Sequence, residues 1–143
     1  MNLIKSILAE YSMTRLLGIK EEKRGPRDYE IINVWIRRID TEFHEDDVSS
    51  GMVKVDVFVD CWQEYSFKTF LGKRKTGFGH LNTGKVIIKT GIMGKPAVIE
   101  KTVRIIEGYA ITTLLVPRHP RKSTYITARI IGPRKSEWTW RTV

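Results

Sequence analysis

From Met52 to Cys61 the side chains alternate without a break. Val53, Val55, Val57 and Val59 fall on one face, with Lys54, Asp56, Phe58 and Asp60 on the other. A period of two predicts a half-buried strand. Trp62 to Leu71 continues as aromatic-rich β structure, with a bend expected near Gln63. The stretch Ile111 to Pro133 predicts two more strands around the basic turn Pro117-Arg118-His119-Pro120-Arg121-Lys122. In its second run Ile126, Ala128 and Ile130 share a core-type face. Tyr125, Thr127 and Arg129 share the other and offer a ring, a hydroxyl and a guanidinium to phosphates and bases.

The remaining chain reads in the same way. Val86 to Ile92 and Ala97 to Ile106 predict strands about a Gly94-Lys95-Pro96 turn, and Glu107-Gly108 turns into Tyr109 to Val116. Trp138 and Trp140 in the tail share one strand face. Tyr29 to Phe43 is two-valued. Ile31, Ile32, Trp35, Ile36 and Ile39 fit helical spacing, while the β-branched and aromatic content favours the strand we expect there. Gly72 to Gly84 (GKRKTGFGHLNTG) carries four glycines and three consecutive cations and predicts a long basic loop.

Only the N-terminal segment has helical periodicity. Leu3, Ile4, Ile7, Leu8 and Tyr11 form a stripe over residues 2–17, and Gly18 is a suitable stop. One apolar stripe must bury against something, and a sheet is the expected partner. The strands lack the crossover helices of a βαβ fold. The expected class is therefore α+β: an N-terminal helix packed on a mainly antiparallel sheet or small open barrel, in one domain over residues 1–143.

Charge changes the picture. The formal net charge of +9 is uneven. Residues 1–60 hold nine Lys/Arg against twelve Asp/Glu, a net −3, while residues 61–143 hold sixteen against four, a net +12. So concentrated an excess attracts polyanions, of which nucleic acid is the commonest in a cell. No run of about 18 apolar residues is present, so no membrane span is expected. Lys5, Glu10 and Arg15 interrupt the start where a secretory signal needs an apolar region. Cys61 is the single cysteine, which excludes an intramolecular disulfide and fits a reducing, cytoplasmic setting with the thiol packed as a small hydrophobe. Amides are few (Gln63, Asn2, Asn33 and Asn82), a bias shared with proteins adapted to high temperature.

Three motifs carry residue types suited to chemistry. Gly79 to Lys85 matches seven positions of a phosphate-binding P-loop, but Val86 stands where a hydroxyl should hold magnesium, and a strand pattern follows instead of a helix. Glu42, His44, Asp46 and Asp47, with Asp56 and Asp60, have metal-ligand chemistry without the spacing of a metal-dependent nuclease, and a solvated acidic loop is the expected outcome. His80 and His119 both sit in basic stretches and are the candidate base and acid of a metal-independent RNA cleavage, provided that their loops meet across a phosphate.

The broadest signal is a mixture of cations and rings. Lys73, Arg74, Lys75, Lys85, Arg118, Arg121, Lys122 and Arg129 are the expected phosphate contacts, with Tyr125 as a stacking ring. Tyr125 and Phe78 are expected outside, and Trp62, Phe67 and Phe70 in the core. The sequence thus predicts a small nucleic-acid-binding protein without cofactor or metal, its preference between DNA and RNA open. Two alternatives stand beside it: an endoribonuclease using His80 and His119, and a structural or assembly protein of viral type. The latter would self-associate through Trp138, Trp140 and the N-terminal helix and dock through its basic face.

Overall fold

The computed structural model describes residues 27–49 and 51–143. Eight strands make up its regular structure: β1 (Arg27–Ser49), β2 (Met52–Lys68), β3 (Arg74–His80), β4 (Lys85–Ile92), β5 (Ile99–Arg104), β6 (Tyr109–Pro117), β7 (Thr124–Gly132) and β8 (Thr139–Thr142). The α+β expectation is therefore corrected to an all-β fold: every regular element among the described residues is a strand. The helix expected over residues 2–17 lies outside the described residues.

The strands form two antiparallel four-stranded sheets. In the first, β2 is central. One edge of it pairs with β1 from end to end, and its other edge pairs with two strands in tandem, β6 against Met52–Asp60 and β3 against Trp62–Lys68. The second sheet runs β5-β4-β7-β8. Both sheets contribute to one core. Val53, Val55, Val57, Val59 and Cys61 of β2 meet Val86 and Ile88 of β4 and Ile126, Ala128 and Ile130 of β7, all essentially inaccessible to solvent. Each such valine or isoleucine contributes roughly 1.5–3 kcal/mol of burial, so the alternation of β2, β4 and β7 is sufficient to choose which face turns inward.

The two-valued reading of Tyr29 to Phe43 has a structural cause. The pairing of β1 with β2 slips between Ile31 and Asn33 and again between Ile36 and Arg38, leaving Ile32 and Arg37 as extra residues. Each bulge shifts the side-chain phase by one. The apolar positions facing the core side are consequently Ile31, Val34, Ile36 and Ile39, spaced three, two and three apart. Such spacing imitates a helical stripe.

Gly72 to Gly84 is not one long loop. Residues 74–80 form β3, which pairs in register with β2. The turn before it is tight: Gly72 N–H donates to the Thr69 carbonyl at 2.9 Å, and Thr69 N–H to the Lys73 carbonyl at 2.7 Å. Gly77 lets β3 lie under the Tyr65 ring, since a Cβ there would stand 2.7 Å from that ring. Pairing along the free edge of β2 overrides the weak strand propensity of glycine.

Candidate nucleic-acid interface

Because β3 and β6 occupy the same edge of β2, the two basic turns lie at opposite ends of one line. At one end is the β2–β3 turn with Lys73, Arg74 and Lys75. At the other, after β6, are Arg118, Arg121 and Lys122. The separation is that from Lys68 to Met52 along β2, roughly 50 Å at the rise of an extended strand. Neither β3 nor β6 contains an aspartate or glutamate. Lys73, Arg74 and Lys75 are exposed and form no ion pair among the described residues. Arg74 donates to Ser66 Oγ at 2.9 Å, which holds its guanidinium against the strand pair.

The far turn is held by its own histidine. His119 Nδ1 accepts from the backbone N–H groups of Arg121 at 3.0 Å and Lys122 at 3.1 Å. The proton of its neutral ring therefore sits on Nε2. Arg118 stacks over Phe43 at 4.9 Å, Thr124 Oγ1 donates to the Pro117 carbonyl, and Arg121 and Lys122 stay exposed. Lys85 is exposed at the start of β4, across from Arg104.

Two of the expected contacts are built into the second sheet instead. Tyr125 is only 6% exposed; its hydroxyl donates to the Lys95 carbonyl at 3.1 Å, and Trp140 covers its ring at 5.0 Å. Arg129 donates through Nε to the Ser136 carbonyl at 2.8 Å and lies 5.7 Å from the Trp138 ring, which Lys89 also approaches at 5.0 Å. The face of β7 expected to meet a ligand is thus largely covered by β8 and the segment before it.

Midway along the β3–β6 edge lies a polar cluster. Asp60 is 2% exposed and accepts from Trp62 Nε1 at 3.0 Å. His80 Nδ1 lies 3.5 Å from its carboxylate and Arg38 Nε 3.8 Å away, while Arg38 also pairs with Asp40 at 3.0 Å. The His80 ring sits between Trp62 and Tyr109, at 4.7 and 5.5 Å. Gly108 makes this possible, since a Cβ there would fall 2.6 Å from the imidazole. Burial pushes the Asp60 carboxyl above the usual carboxylate range, against the opposing pull of His80, the Trp62 indole, Arg38 and Arg37.

That shift has a defined sign. A carboxyl held above its unfolded value binds its proton more tightly in the fold. Its contribution is therefore best at low pH and declines as pH rises from the ordinary carboxylate value through the raised one. Asp60→Asn keeps an acceptor for Trp62 and removes the titration. The thermal midpoint of this variant is expected to gain on wild type as pH climbs through that window, with no further gain above it. A gap independent of pH would show that Asp60 does not ionise against its burial.

The other chemical candidates come apart in three dimensions. His80 packs on Tyr109 at one end of β6, and His119 follows Pro117 at the other, roughly 27 Å away along the strand. One phosphate cannot lie between them within a single chain. His44 pairs with Asp56 at 2.7 Å, and Thr113 donates to the same carboxylate at 2.6 Å. Among the described residues no group of three His, Cys, Asp or Glu side chains assembles to hold a metal ion. Cys61 is fully buried, and its thiol is pushed up to about 12 by burial and by neighbouring Asp60, far from a nucleophile's range. The P-loop-like stretch runs from β3 through a turn into β4, with Leu81 a fully buried core residue and no helix following.

Phe78 is exposed as expected, at 64%, and stands edge-on to Trp35 at 6.1 Å. Phe70 reverses the expectation. It is 103% exposed, and its neighbour Leu71 is 80% exposed. The signal was present in the sequence: Phe70-Leu71 is followed by Gly72 and flanked by Lys68 and Lys73, the pattern of a turn.

The fold and this edge define an all-β protein with a basic hairpin arm. No protein-family model, curated protein or solved structure matches the chain. No helix among the described residues is long and apolar enough to cross a membrane.

Proposed function

We propose that this protein binds nucleic acid along the β3–β6 edge. One observation carries the reading: two clusters of cations without ion pairs mark the two ends of a single edge, and neither strand that forms it, β3 or β6, contains an aspartate or glutamate. An extended polyanion can touch both, and roughly 15 base pairs cover the intervening 50 Å. The cations neutralise backbone phosphates, which gives affinity without sequence choice.

The test is a salt series with labelled single-stranded RNA, single-stranded DNA and duplex DNA, with EDTA present and the recovered RNA run on a denaturing gel. Binding is expected to weaken steeply with salt, with a log–log slope of about −5 for duplex if six phosphates are neutralised, and the RNA is expected to stay intact. A slope near zero, or no binding at low salt, would sink the reading and leave the basic half as a protein-docking face. Shortened RNA would bring back a cleavage reading, centred on His80 and Asp60 alone.

A further inference from the structure

The composition of β3 divides between its two faces. Gly77 and Gly79 fall on one face, where the Tyr65 ring lies over them and a Cβ at Gly77 would stand 2.7 Å from it. Arg74, Thr76, Phe78 and His80 alternate with these glycines and share the other face. The strand therefore packs flat on its glycine side and displays a guanidinium, a hydroxyl, a ring and an imidazole on the other. Register extends this display across the sheet. His80 is opposite Trp62, and Trp62 opposite Trp35; Phe78 is opposite Glu64, and Glu64 opposite Asn33. Directly opposed residues share a face. Phe78 stands in solvent, edge-on to Trp35 at 6.1 Å, and Arg37 lies over the Trp62 ring at 5.1 Å. Toward β6 the display continues from His80 to Tyr109, 5.5 Å away. Rings and cations thus share one face of the arm, beside the edge whose ends carry the two basic turns.

We infer that this face stacks the unpaired bases of a single-stranded nucleic acid on Phe78 and the rings around it, with Arg74 and Arg37 on the flanking phosphates. This rests on the nucleic-acid reading above and makes its target a single strand. Every base has a π-face, and an unpaired base offers it to a side chain. In a duplex the base faces are covered by their neighbours, so a duplex on this edge meets the cations and leaves the rings unused. Arg74 is placed for a phosphate beside the stacked base. Its guanidinium is held at 2.9 Å from Ser66 Oγ, on the face of Phe78 and roughly 13 Å from it along β3. Glu64 decides against a flat anionic surface. It shares the face with Phe78, as do Asp40 and Glu42 farther along β1, so phosphates pressed onto the whole face would meet carboxylates. A carboxylate beside a stacking ring suits a base, because it accepts from an exocyclic amino group. A neutral sugar chain would also suit rings beside a carboxylate, but it would leave the cations of the face and of the edge without a counterpart.

The experiment compares two DNA strands of about 12 nucleotides, a length within the range of single-strand sites. One carries bases throughout. The other is built of abasic tetrahydrofuran residues and keeps every phosphate. Wild-type protein is expected to bind the base-bearing strand at least about tenfold more tightly than the abasic one at equal salt. Phe78→Leu removes the ring and keeps an apolar side chain. It should weaken binding of the base-bearing strand by about tenfold, with the abasic strand and duplex DNA bound as by wild type. Phe78→Trp should restore the preference for bases. Because Phe78 projects into solvent, the thermal midpoints of both variants should stay close to that of wild type. Equal wild-type affinity for the two strands, or a base preference that survives Phe78→Leu, would overturn the stacking and leave phosphate binding standing. A neutral glucan oligosaccharide that binds wild type and not the Phe78→Leu variant, with no preference between the strands, would make the face a sugar platform and overturn it too. No binding of any strand or duplex at low salt would remove both the stacking and the reading beneath it.

Discussion

Reversing Lys73, Arg74 and Lys75 to glutamate is expected to lower affinity for a duplex of about 16 base pairs by roughly 10²–10³-fold at 0.1 M salt and to flatten the salt slope by about three. The magnitude follows from counterion release. Each phosphate contact contributes a factor near the 0.9 power of the inverse salt concentration, so three lost contacts remove two to three decades. The side chains stand on a hairpin whose turn is closed by backbone hydrogen bonds, so the charge change should spare the fold. Reversing Arg118, Arg121 and Lys122 at the other end should cost a similar factor on this duplex. On a duplex of about six base pairs, too short to reach from one turn to the other, the two losses should no longer combine. Filter binding or fluorescence anisotropy over both lengths checks this. Equal additivity on both lengths would mean that the two clusters do not share one ligand.

The largest expected effect on stability comes from a single methyl group. Gly84 has φ 105°, a conformation that side chains rarely adopt, and a Cβ there would fall 1.7 Å from the Gly132 carbonyl oxygen and 2.9 Å from Pro133 Cδ. The obstacle is backbone, so no side-chain rotation relieves it. The β3–β4 connection and the end of β7 must move apart, beside Val86 and Ile130 of the core. Gly84→Ala is expected to lose about 3 kcal/mol or more, read from denaturant midpoints. Gly79→Ala is the control: the nearest atom to its Cβ is a Tyr65 ring carbon at 3.8 Å, ordinary contact, and stability should change by less than about 1 kcal/mol. A P-loop would need both glycines for phosphate. Unequal costs to stability, with nucleic-acid binding intact in the Gly79 variant, would assign Gly84 to the close approach of the β3–β4 connection to the end of β7.

Strands whose side chains alternate regularly were legible in the sequence. β2, β4 and β7 each turn an unbroken row of β-branched or small apolar residues inward, so period alone marks the buried face. The two-valued reading of β1 came from its bulges at Ile32 and Arg37, since a bulge changes phase without changing composition. β3 was missed because its sequence, Arg-Lys-Thr-Gly-Phe-Gly-His, has the composition of a loop. It is a strand because β2 extends beyond β6 and offers it an edge. Tyr125 and Phe70 went in opposite directions to expectation for a similar reason. Tyr125 is buried by Trp140 from a neighbouring strand, and Phe70 falls at an exposed turn corner.

By itself the sequence determined that the chain would build antiparallel strands, which faces of β2, β4 and β7 would be apolar, that Cys61 has no disulfide partner, and that positive charge gathers in residues 61–143. These are local or additive properties: a period is visible within a few residues, and charges sum without coordinates. Tertiary structure alone decided that the two basic turns mark the ends of one edge, that His80 and His119 stand far apart, that Asp60 is buried behind His80, and that the arm ends in a bare apolar tip. Each of these depends on which strand pairs with which, and in what register. Pairing partners lie tens of residues apart, and several registers satisfy the same alternation until the whole core is packed.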